Sequence, residues 1–192
     1  MQPDFQQRLN QVIGKLTSPD FLSSNGLGND IGFWIFDYPI EQDDLVMEYL
    51  NDIVIRSLKS PPYQLRVVHI NLFEFLIELL KERNLLDKVI EFQKTGGDQK
   101  TLDAIRPVLK EDKLAQKLSS MINHDQTDMV ILSGVASAYP MLRTHTLLSA
   151  LHPFMQDTPL VMFYPGKYDG QSLRLFNTLE DDHYYRAFRL VP

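Results

Sequence analysis

Four short apolar runs, each separated from the next by an amphipathic helical pattern, limit this chain more than any other feature of it. They are Phe33-Trp-Ile-Phe36, Leu65-Arg-Val-Val-His-Ile70, Asp128-Met-Val-Ile-Leu-Ser-Gly134 and Leu160-Val-Met-Phe163. Strand-forming runs that alternate with helices must be joined by crossovers, and crossovers wind a mainly parallel sheet between two helical layers. The expected architecture is a single three-layer α/β domain of about five strands, Rossmann-like or P-loop-like in outline. Tyr185 to Leu190 alternates enough to be the fifth strand. The link before it holds only about one helical turn of pattern, which allows that strand to run antiparallel at an edge.

The helical segments are read from spacing. Phe5, Leu9, Val12, Ile13 and Leu16 recur as one stripe, so a helix over 3–17 should pack on the domain and end near Ser18-Pro19. Val46, Leu50, Ile53 and Leu58 form a second stripe, stopped by Pro61-Pro62. Leu72 to Phe92 reads as two helices broken around Asn84, Thr95 to Asp98 as a loop, Leu102 to Ile122 as helical turns interrupted at Pro107, and Arg143 to Leu151 as a further helix. A chain of 192 residues suits one domain, and no boundary or repeat divides it.

Composition narrows the function. With a net charge of -6, the chain is a poor isolated nucleic-acid binder, because neutralising phosphates requires clustered Lys and Arg. From Met129 onward the balance is even, and a DNA-contacting face would need Arg143, Lys167, Arg174, Arg186 and Arg189 to gather. No apolar run is long enough to span a bilayer, the N-terminus lacks a signal-peptide pattern and there is no cysteine, so a cytoplasmic protein is expected. A P-loop needs Gly-x-x-x-x-Gly-Lys-Ser/Thr, and neither Gly14-Lys15 nor Gly166-Lys167 has the companion residues; there is no Walker motif. Gly26, Gly28 and Gly32 have the wrong spacing for a dinucleotide fingerprint and precede a strand. The five histidines are dispersed, His69 reads as a satisfied core residue, and Ser133-Gly134 lacks the glycine of a nucleophile elbow. No metal, cofactor or catalytic residue is implied, and a non-enzyme is expected.

Two sets of residues remain as candidates. Parallel strands present their C-terminal ends together, so Asp37, Tyr38, Ser133 and Gly134 could form a strand-end pocket, with Tyr164 nearby. Aromatic and basic residues dominate binding hot spots, so Tyr164, Lys167, Tyr168, Tyr184, Tyr185 and Arg186 are candidates for a partner surface. Lys167 and Tyr168, in the Gly-bounded loop 166–170, are expected to be exposed.

Phe36-Asp-Tyr-Pro39, Ser133 to Pro140 with Arg143, Pro159 to Gly170, and Tyr184-Tyr-Arg-Ala-Phe188 together resemble the BrxB family, a small component of BREX bacteriophage-exclusion systems. The resemblance implies a cytoplasmic antiviral protein encoded beside a PglX-like methyltransferase, a BrxC-like ATPase and a PglZ-like protein. It implies an adaptor that binds protein partners, the PglZ-like protein first, and meets DNA only through the complex. A degenerate nucleotide-binding sensor is the competing expectation.

Overall fold

The computed structural model describes residues 4–23, 32–180 and 187–192. Its elements run α1 (Phe5–Leu16), α2 (Pro19–Leu22), β1 (Phe33–Tyr38), α3 (Asp43–Tyr49), which passes through a π turn into α4 (Ile55–Lys59), then β2 (Val67–Asn71). There follow α5 (Leu72–Glu82), α6 (Leu86–Gly96), α7 (Asp98–Ile105), α8 (Glu111–Ser119), β3 (Met129–Ser133), α9 (Val135–Ala138) and α10 (Thr144–Leu151). The chain closes with β4 (Leu160–Tyr168), β5 (Leu173–Leu175), β6 (Leu179–Glu180) and β7 (Phe188–Arg189). Local chemistry sets several boundaries. The Asn71 side chain accepts hydrogen bonds from the amides of Phe73 and Glu74 at 3.0 and 3.2 Å, capping α5. Asn84, with φ of 54°, adopts the left-handed turn that separates α5 from α6 as expected.

The parallel sheet has the order β2-β3-β4-β1-β7. Side chains alternate across it. Ile35, Ile70, Leu132 and Met162 meet α5, α8 and α10 on one face. Phe36, Val67, Ile131 and Phe163 meet α1, α3 and α4 on the other, through Leu9, Val46 and Leu58. Each large aliphatic buried in these layers contributes about 1.5–3 kcal/mol, which is why the chain closes around one sheet.

Three expectations are corrected. β7 lies at the edge but runs parallel to β1, with Trp34 opposite Phe188 and Ile35 opposite Arg189. The described part of the link before it, up to Glu180, forms the β5–β6 hairpin. Nor is Gly166 to Tyr168 a loop: β4 outruns the parallel sheet and pairs antiparallel with β5, Lys167 opposite Arg174. The apolar run of β4 stops at Phe163, so this extension carries no hydrophobic signature. The expected loop at 95–98 shrinks to Gly97, whose φ of 78° joins α6 directly to α7.

Candidate functional site

The path of the chain makes a crevice. From β1 it passes to α3 and α4 on one face of the sheet, whereas from β4 it passes to β5, whose Leu173 and Leu175 pack on the opposite face. β1 and β4 are neighbours, so their C-terminal ends flank a topological switch point, where open α/β sheets bind ligands.

Asp37, at the end of β1, occupies that point and is 6% exposed. One carboxylate oxygen accepts from the Arg8 guanidinium at 2.5 Å, and the other from the Tyr168 amide at 3.0 Å. Arg8 also donates to the Asp37 carbonyl at 2.9 Å and to the Val191 carbonyl at 2.9 Å, so α1, β1 and the C-terminal segment are clamped by one side chain. The Arg189 guanidinium stands 3.9 Å from the Asp37 carboxylate and donates to the Tyr168 carbonyl. The Tyr168 hydroxyl donates to the Ala187 carbonyl at 2.8 Å and accepts from its amide at 3.2 Å. Asp37 thus satisfies an amide of the β4 extension that no parallel strand reaches, and Tyr168 locks the C-terminal strand onto it.

This geometry corrects the partner-surface assignment of two residues. Tyr168 is 0% and Tyr164 2% exposed, so neither presents surface to a partner. The alternation of β4 turns both rings inward into the hydrophobic cluster while Lys167 between them faces solvent. Tyr184, Tyr185 and Arg186 lie outside the described residues.

The strand-end pocket divides in two. Asp37, Tyr38, Lys167 and Arg189 line a cleft of about 410 Å³ together with Phe5 and Asn177. Tyr38 itself is buried, and its hydroxyl donates to Asp43 at 2.7 Å; burial, with the Asp43 charge, pushes its ionisation far up. Ser133 and Gly134 do not line this cleft. The Ser133 hydroxyl is 2.8 Å from Nε2 of His69, and Ser133 is buried. Burial, helped by the nearby charge of Lys59, lowers the affinity of His69 for a proton. Gly134 has φ of 71°, and an added Cβ would stand 2.1 Å from the Asn71 side-chain oxygen that caps α5. These are the bonds of a strand-exit turn. Among the described residues no three His, Asp or Glu gather as metal ligands.

The structure adds a surface that the sequence reading passed over. Tyr139, 38% exposed, sets its ring edge-on to Phe176 at 5.7 Å. Leu179, 40% exposed, and Arg143 line the same recess of about 280 Å³. Tyr139 and Arg143 also line a second recess of about 630 Å³, with Arg106 and Lys110. Tyr139 and Arg143 stand in one of the quoted segments, but only the β5–β6 hairpin brings Leu179 into their recess and Phe176 against the Tyr139 ring. Of the five cations weighed for a DNA face, Lys167 and Arg189 share the Asp37 cleft and Arg174 faces Lys167, whereas Arg143 belongs to this other surface.

A family model described as BREX protein BrxB matches residues 68–190. The chain is similar to a BREX protein BrxB of Bacillus cereus strain H3081.97, 36% identical over 189 residues, which is 96% of this chain and 96% of the relative. It is also similar to a BREX protein BrxB of Escherichia coli O9:H4 strain HS, 37% identical over 190 residues, 99% of this chain and 93% of that protein. No solved structure matches it.

Proposed function

The chain belongs to the BrxB family of BREX proteins, and from that premise we propose that it is a non-catalytic adaptor of a phage-defence complex, binding the PglZ-like component directly. The BrxC-like ATPase and PglX-like methyltransferase join through the assembly, and DNA is met only through them. The observation that carries the adaptor reading is the exposed patch of Tyr139, Arg143 and Leu179 between two recesses. Aromatic and arginine anchors beside recesses are what partner hot spots are made of. The bonding of Asp37 and Tyr168 supports the same reading, because the motif residues at the switch point hold the fold together.

The test is recovery of partners from cells expressing the tagged chain with its BREX neighbours. The unaltered chain should retain the PglZ-like protein. Tyr139→Ala combined with Arg143→Glu should release it while the thermal midpoint stays within a few degrees, since exposed substitutions cost little stability. Full recovery by that variant would remove this patch from the interface, and absence of the PglZ-like protein from the unaltered sample would remove the adaptor assignment.

A further inference from the structure

We infer that the cleft at the β1/β4 switch point binds a phosphate group carried by a small molecule. Within it, Asp37 and Arg8 satisfy each other and neighbouring backbone, so they contribute no net charge. That leaves Lys167 and Arg189 in excess. Among the described residues the Lys167 ammonium has no hydrogen-bonded or ion-paired partner, and Nε of Arg189 is buried without one. A buried guanidinium N–H without an acceptor is costly, and an oxyanion is the group that would satisfy it. Asn177, at the tip of the β5–β6 hairpin, adds an amide to the same wall.

The positive φ angles of Phe176 and Asn177, 56° and 61°, are those of the type I′ turn that closes the hairpin, with the Thr178 amide donating to the Leu175 carbonyl, and this turn sets Asn177 at the cleft wall. Lys167 and Arg189 are the cations that a phosphate monoester, with a charge of about -1.5 to -2 at neutral pH, would meet in the cleft. The volume of about 410 Å³ exceeds what phosphate alone fills and falls in the range of small-molecule sites. Phe5 and Pro39 supply apolar walls for the attached group. The cleft differs from a P-loop in using side chains on β4, β7 and a hairpin, which is why no glycine motif announces it. The inference does not rest on the adaptor reading.

Calorimetry and thermal shift on the purified full chain test it, with inorganic phosphate and ADP as separate probes against chloride at matched ionic strength. Either probe should raise the thermal midpoint and give a saturable heat at millimolar or lower concentration. Lys167→Glu, and independently the near-isosteric Asn177→Asp, should each weaken binding by about tenfold or more and leave the unliganded midpoint nearly unchanged. Equal affinity for the two probes identifies the free phosphate group as what is read, and tighter ADP binding identifies a nucleotide; both support the site. No response to either probe, or binding that survives both variants, overturns it.

Discussion

At the residue scale, Asp37 and Tyr168 explain why the most distinctive segments of this sequence are distinctive. Phe36 to Pro39, Pro159 to Gly170 and the C-terminal segment meet at one carboxylate and one tyrosine, in contacts that are buried. Tyr168→Ala should therefore destabilise the protein by about 3–5 kcal/mol, as a large aromatic lost from a core does, and urea titration would measure it. Lys167→Ala, one position away and exposed, should stay within about 0.5 kcal/mol. Equal effects at the two positions would contradict the burial pattern of β4. His69 gives a pH prediction. Its proton affinity is lower in the folded chain than the ordinary value of 6.5, so the unfolded state binds more protons as pH falls. Its contribution is fully present above that value and is lost on acidification below it. Thermal midpoints measured between pH 7.5 and 5 should fall, and fall less steeply in His69→Gln; parallel curves would exclude His69 as the cause.

At the element scale, the four apolar runs and the helical stripes translated into strands and helices almost directly, because both obey the periodicity of buried faces. Asn84 and Pro107 marked real breaks for local reasons. The β5–β6 hairpin was invisible: Leu173-Arg-Leu175 is too short for a period, and its pairing partner, Gly166 to Tyr168, reads as a turn from its glycine and its Pro165 neighbour. What makes that stretch a strand is close approach. A Cβ on Gly166 would stand 2.1 Å from the Arg174 carbonyl oxygen, so the glycine permits β4 and β5 to pair. Gly166→Ala should open the hairpin, seen as lost hydrogen-exchange protection at residues 173–175 and a lower midpoint, with the parallel strands β2 and β3 still protected. Protection unchanged at the hairpin would refute this role for the glycine.

At the scale of the whole molecule, the sheet places its motif-bearing strand ends in a bonded knot and its exposed anchors on the adjoining hairpin and the α9–α10 connection. The α/β class and the parallel sheet were legible because strand–helix alternation leaves few ways to cover both faces. The patch proposed to meet a partner was not, since Leu179 is distant in sequence from Tyr139 and Arg143 and joins them only through tertiary structure. Aromatic residues in the quoted segments drew attention instead, and two of them, Tyr164 and Tyr168, proved to be core. The central claim is that this chain joins the PglZ-like protein through that surface, and it is tested most directly by titrating one purified protein into the other with no further component present. Saturable binding by the unaltered chain, abolished by Tyr139→Ala with Arg143→Glu in a variant of unchanged thermal midpoint, is the result expected. An absence of binding, or equal binding by the variant, would contradict it.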